Sequence, residues 1–232
     1  MACARFYQLA EVLFAPNVDL CNLLERSTGR HCALMPRGVD TAAFSPEFRD
    51  RSAKDKDFVL GFCGRLSIEK NVFLLARIRT ELLARGIKDF RFLIVGHGKE
   101  ENWLRRNLPN AEFTGVLRGQ DLARAYANMD LFVFPSHTDT FGNVVLEALA
   151  SGVPAIVTPD GGPRYIVKDG ETGAIATDDG FSAAVAKLIL DPEVHARMRL
   201  ASRTYAQSAS WDSVFEGVYS TYEDVLASHR KQ

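Results

Sequence analysis

Cysteine is scarce and unpatterned. The four residues Cys3, Cys21, Cys32 and Cys63 include no Cys-x-x-Cys spacing, which argues against a zinc or dithiol redox motif and for a reducing compartment. Cys63 follows an apolar run and is expected to be a small buried hydrophobe. Charge of one sign is lacking too: 28 Lys and Arg against 29 Asp and Glu leave a formal net charge of -1. A nucleic-acid partner is therefore not expected, although a local basic cluster can still meet an anionic ligand. No apolar run approaches the roughly 20 residues that span a bilayer. Residues 1–13 carry Arg5, Gln8 and Glu11 along their length, unlike a signal peptide, so the expected location is cytoplasmic. What is present, 47% hydrophobic and 25% charged residues over 232 positions, suffices to bury one large domain, or one domain and a fragment.

Residues 1–50 read as the end of something else: a strand near 12–15, a helix over 18–27 stopped by Gly29, and a strand over 32–35 closed by Pro36. Residues 47–57 form a charged stretch, expected to be a solvated linker. Its Asp55-Lys56-Asp57 has the form of an acidic metal-binding triplet, but it precedes a strand, and ligands gather after strands in open α/β sheets. No metal is expected. From Phe58 onward, strands and helices alternate: 58–63, 72–85, 90–95, 100–107, 111–114, 122–128, 131–134, 143–151, 153–157, a turn of helix near 164–167, and 173–176. Continuous apolar strands in that alternation predict a Rossmann-like doubly wound parallel sheet covered on both faces. Helices over 181–190, 192–206 and 211–228 follow. The domains read as 1–50, 51–210 and a final helix over 211–232.

The chemistry collects after the strands. The first strand is followed by Gly64-Arg65-Leu66-Ser67-Ile68-Glu69-Lys70, where the Arg65 fork can grip phosphate oxygens and Lys70 adds a second cation. The next strand ends in Val95-Gly96-His97-Gly98; two glycines let backbone approach a ligand, but the third glycine of a dinucleotide fingerprint is absent, which ranks an NAD-dependent dehydrogenase low. His97 reads as a solvent-edge residue. The strand at 131–134 leads through Pro135-Ser136-His137-Thr138-Asp139-Thr140-Phe141-Gly142-Asn143-Val144-Val145-Leu146-Glu147, with Thr140 as the expected helix cap. Unpaired amides at a helix start suit a phosphate. Asp139 and Glu147, with seven residues between them, can hold sugar hydroxyls beside it.

This long stretch resembles the donor-site motif of retaining GT-B glycosyltransferases of family four, glycosyl transferases group 1, in which two glutamates flank a Phe-Gly pair at that spacing. Asp139 stands at the first acidic position. The resemblance implies the C-terminal donor-binding half of a GT-B fold, with residues 36–44 closing an N-terminal acceptor domain whose bulk is absent. It implies that Arg65 and Lys70 neutralise the donor diphosphate, that Asp139 holds the hexose hydroxyls and that Glu147 holds the ribose. Gly64, Gly96 and the amides of Phe141, Gly142, Asn143 and Val144 would line the donor, and the backbone of Val116 and Leu117 would read the base. Arg118 is open between base contact and a surface charge, and the turn 159–163 between shaping the cleft and plain glycine flexibility.

The implied reaction transfers a hexose from a UDP-sugar or GDP-mannose to a lipid or glycan acceptor, with retention and without a cofactor. Contact with the inner membrane face would run through the N-terminal domain, and Val214, Phe215, Val218, Tyr222 and Val225 of the last helix would be left without their partner. A surface left bare in this way favours a homodimer. The rival readings are a nucleotide-sugar-binding domain without turnover and a nucleotide-sugar epimerase.

Overall fold

The computed structural model describes residues 2–52 and 55–229. They fall into two compact units, Met1–Gly38 with Ser208–Gln232, and Val39–Gln207. In the first, α1 (Ala2–Tyr7) precedes β1 (Val12–Ala15), α2 (Val18–Thr28) and β2 (His31–Leu34). The strands pair in parallel, Val12 opposite His31. The side chain of Asn17 accepts from Leu20 N at 2.9 Å to start α2, and Gly29 ends it in the left-handed region. Leu13, Ala15, Cys21 and Cys32 make its small core. Burial first, then the neighbouring Cys21, pushes the Cys32 thiol up to about 12. The side chain of Cys3 lies outside the described set.

The chain's last helix, Trp211–His229, belongs to this unit. Val214 and Val218 are buried, Tyr222 meets Phe14 edge-on at 5.7 Å, and Phe215 remains 43% exposed beside Trp211. The expectation that this apolar set stands without a partner is thus corrected for Tyr222, which finds one in Phe14.

In the larger unit β3 (Phe58–Cys63), α3 (Phe73–Ala84), β4 (Phe90–Val95), α4 (Glu101–Asn107), β5 (Glu112–Gly115), α5 (Gly119–Ala127), β6 (Leu131–Phe134), α6 (Asn143–Ala150), β7 (Ala155–Val157), β8 (Gly173–Ile175), α7 (Phe181–Leu190) and α8 (Pro192–Ser208) follow in turn. The parallel sheet runs β5-β4-β3-β6-β7-β8. Residues 131–134 are all buried, as a strand covered on both faces requires. Right-handed crossovers that run outward from β3 and then, after β5, outward from β6 must put their helices on opposite faces. The packing agrees: α3 contacts α4 and α7, and α5 contacts α6. The order reverses between β3 and β6, paired at Leu60 with Leu131, and the carboxyl ends at this switch point, Cys63 and Phe134, are where open α/β sheets as a class bind their ligands.

Three expectations need correction. The α5 helix begins at Gly119, where a left-handed φ of 54° lets the turn enter the helix directly, rather than at residue 122. Gly142, not Thr140, occupies the position before α6; its φ is 91°, and a Cβ there would stand 2.8 Å from Pro163. The stretch before β3 is also no free linker. Arg49 Nη2 donates to Asp130 Oδ1 at 2.7 Å and Arg51 Nη1 donates to Asp130 Oδ2, while Arg51 and Arg91 hold Asp55 at 3.0 and 3.2 Å. Asp130 is 8% exposed, and a carboxylate that buried needs those cations. Residues 53 and 54 of this stretch lie outside the described set.

Candidate functional site

The β3–α3 connection puts Gly64 and Arg65 directly after the strand and Lys70 in a 3-10 turn, Ile68–Lys70. The β6–α6 connection carries Asp139. The two meet across the reversal point: Lys70 Nζ donates to Asp139 Oδ2 at 2.6 Å and lies 6.0 Å from the Phe134 ring centre. Their side chains are only 17% and 21% exposed, so water and salt screen this pair less than a surface ion pair. Arg65 is exposed and has no hydrogen-bond or ion-pair partner among the described residues.

Glu147 lies one turn inside α6. Tyr126 of α5, which is fully buried, donates its hydroxyl to Glu147 Oε2 at 2.8 Å. Burial raises the Glu147 carboxyl above its usual range, and the Tyr126 bond only partly opposes this. Cys63, the last residue of β3, borders the same pair, and burial lifts its thiol to about 11. Through Cys63 the Glu147–Tyr126 pair is tied to the end of β3 from which Arg65 and Lys70 follow. Tyr126 was missing from the sequence reading: a tyrosine on the apolar stripe of a helix reads as core, and nothing local tells that its hydroxyl meets a carboxylate 21 residues on.

The start of α6 is open. No side chain caps it, so the first-turn amides of Asn143 and Val144 keep their positive end for a ligand. Phe141 is half-buried and Gly142 buried beside them. Two hydroxyls, Ser67 Oγ after β3 and Ser136 Oγ after β6, are buried with no hydrogen-bond partner among the described residues.

The glycines after β4 are also needed for packing. Gly96 has φ 132°, and a Cβ would stand 1.9 Å from Gly64 O, so what approaches closely there is the neighbouring loop. The Gly96 amide donates to Gly115 O at 2.7 Å, which ties the end of β5 to the turn after β4. Beyond it Val116 is 65% exposed, Leu117 half-buried and Arg118 exposed. His97 is solvent-facing and pairs with Glu101 at 2.7 Å. Asp55 and Asp57 stand at the opposite, amino end of the sheet, and among the described residues no group of three His, Cys, Asp or Glu is arranged to hold a metal.

Comparison with known proteins bears on the family and the fold. Residues 57–191 match the family described as Glycosyl transferases group 1. A GDP-mannose-dependent alpha-mannosyltransferase from Mycolicibacterium smegmatis is 41% identical over 199 residues, covering 82% of this chain and 51% of that protein. The chain spans about half the length of the relatives it matches. Among solved structures, sucrose-phosphate synthase from Thermosynechococcus elongatus superposes with a TM-score of 0.84 at 20% identity over 98% of this chain and 61% of that one. HepE from Anabaena, solved in complex with UDP, gives 0.80 at 19% identity, over 95% and 66%. The sheet order, the motif from Asp139 to Glu147 and the family match over residues 57–191 together place this chain in the group 1 glycosyl transferases, with the fold of a GT-B donor-side domain.

Proposed function

We propose that this chain holds the donor site of a hexosyltransferase that takes a nucleotide-diphosphate sugar, with GDP-mannose the first donor to test and UDP-hexoses the second. The observation that carries this is the Lys70–Asp139 pair spanning the reversal point, next to the uncapped start of α6. The arrangement offers cations and amides for a diphosphate, and carboxylates for hydroxyls, in one crevice. The likeness to a protein named as GDP-mannose-dependent favours that donor, and the UDP seen with HepE supports the nucleotide-diphosphate class.

In this reading Arg65, Lys70 and the amides of Phe141 to Val144 stabilise the diphosphate as negative charge develops on departure. Asp139, already neutralised by Lys70, is released to the hexose hydroxyls as the diphosphate takes over the ammonium. Glu147 takes the ribose hydroxyls with its geometry set by Tyr126. Retention of anomeric configuration and a lipid or glycan acceptor belong to the reading through the family's motif, and Asp139 is not assigned as a nucleophile.

Calorimetry with GDP-mannose, UDP-glucose, GDP and UDP tests it. We expect binding of at least one of these, and a loss of about tenfold or more in Glu147→Ala, the scale of a charge-assisted hydrogen bond. Unchanged affinity in that variant for every ligand would remove the assignment of Glu147. Binding without transfer to any acceptor supplied would favour a donor-binding domain without turnover, and conversion of the free donor to its epimer would favour an epimerase.

A further inference from the structure

We propose that His137 is a positioning residue for the donor site, an imidazolium clasp that fastens the loop bearing Asp139 to the loops following β7 and β8. The inference rests on the donor reading above and deepens it. His137 Nδ1 lies 2.8 Å from Asp160 Oδ2, in the turn after β7, and Nε2 lies 3.0 Å from Asp178 Oδ1, beyond β8. Asn71 Nδ2 lies 3.3 Å from Nε2 as well, but the nearer carboxylate oxygens face both ring nitrogens, and only the doubly protonated ring donates to both.

The clasp closes a circuit around the crevice. Asn71 Nδ2 donates to Asp178 Oδ2 at 3.0 Å, and Asn71 follows Lys70, which holds Asp139 at 2.6 Å. Asn71 adopts φ 51°, and among the described residues it alone does so without being glycine. Asparagine tolerates that conformation best, and here it turns the side chain to Asp178. The circuit therefore runs Lys70, Asp139, His137, Asp178, Asn71 and back. On its other side the Gly162 amide donates to Asp139 O at 2.7 Å, and a Cβ on Gly162 would stand 2.1 Å from Thr140 O. The Gly161-Gly162 pair is needed there for close packing, which the alternative of plain flexibility does not explain.

The charged groups facing His137 are Asp160 and Asp178; Asp139 and Lys70 stand next in the circuit, Asp179 is drawn away by Arg77 at 2.8 Å, and Glu69 meets the loop only through its carbonyl, which accepts from Thr138 Oγ1. Burial opposes the imidazolium, but the Asp160 hydrogen bond and the Asp178 charge outweigh it, and the His137 pKa lies above its ordinary value. Protonated His137 thus does two things for a diphosphate: it orders the loop leading to the α6 amides, and it offsets negative charge from Asp160 and Asp178 beside the crevice. A pKa raised in the ordered state means that the contribution is complete at low pH and fades as pH rises through the His137 pKa.

The test compares wild-type chain with His137→Gln, which keeps hydrogen bonding and removes the titration, from about pH 6 to about pH 9. Two readouts are taken: affinity for GDP-mannose and UDP-glucose by calorimetry, and hydrogen exchange of the amides at 138–144. For the wild type we expect weaker donor binding and faster exchange as pH rises, beyond the intrinsic rate. The variant should be roughly two- to fivefold weaker at the low end, the scale of a partly exposed ion pair, and lack the wild-type pH dependence. Asp178→Asn should show the same loss without touching the ring. Identical profiles in wild type and His137→Gln for both readouts would overturn the inference. A chain that binds neither donor, yet keeps a His137-dependent exchange profile, would overturn the donor reading while the clasp stands.

Discussion

The two ends of the central sheet handle charge in opposite ways. At the amino end, Asp130 is saturated: Arg49 and Arg51 each donate to it, the Val59 amide donates at 2.9 Å, and Arg199 stands 3.7 Å away. His195 Nε2 completes the cluster by donating to the Asp130 carbonyl at 2.7 Å. At the carboxyl end, Arg65 has no partner among the described residues, Glu147 has one recorded donor, α6 is uncapped, and Ser67 and Ser136 keep unpaired hydroxyls. Saturated charge holds a fold together; unsaturated charge is poised for something that is not part of the chain. The difference is what the donor-site proposal rests on.

The sharpest way to break this contrast is at its saturated end. Asp130→Ala strands Arg49 and Arg51 in a half-buried site, and we expect a loss of about 3–5 kcal/mol in thermal or urea unfolding, the scale for removing one partner of a buried pair. The hub should also set the acid edge. Burial alone would raise the Asp130 pKa, but the Val59 amide and the arginines bring it below its ordinary value. A carboxylate depressed in the fold contributes its stability above the unfolded pKa of about 3.9 and loses it as pH falls through the folded value. Acid unfolding followed by circular dichroism should therefore set in below about pH 4, and Asp130→Asn should be less stable at neutral pH but lose that part of the pH dependence.

At the open end the expected effects move from stability to binding. Lys70→Ala should cost about 1.5–3 kcal/mol of donor affinity, tenfold or more, while the fold loses about 1 kcal/mol or less. A variant that unfolds but binds as before would invert the comparison and sink it. The smallest effect belongs to Tyr126→Phe, which removes the donor to Glu147 and should weaken nucleotide binding by about 1 kcal/mol. Because burial already holds the Glu147 pKa high, its ionisation costs stability as pH rises through that value. The cost should grow in the phenylalanine variant, so its stability should fall further behind wild type on the alkaline side; parallel stability curves would argue against a Tyr126–Glu147 coupling.

Much of this was legible in the chain itself. The runs at 58–63, 90–95 and 131–134 give β3, β4 and β6 to the residue, because strands covered on both faces are nearly continuous apolar runs, broken here only by Arg91 at the half-buried start of β4. Weaker edges shifted: β5, short and half-exposed, lies one residue beyond the expected 111–114, and α5 enters three residues early through a glycine that reads as a breaker. The stretch before β3 reads as a linker because its charges look solvated until Asp130, 79 residues beyond Arg51, is brought beneath them.

The sequence by itself determined the alternation of strands and helices, the sheet's two-sided burial and the gathering of Arg65, Lys70, Asp139 and Glu147 after strand ends, since these follow from local polarity and spacing. Only the tertiary structure decided which loops face each other. Strand order sets Lys70 against Asp139, His137 between Asp160 and Asp178, and Tyr126 against Glu147. Those pairings are separated by 21 to 69 residues, and pairing of that range is chosen by the packing of the whole sheet, which no window of local sequence encodes.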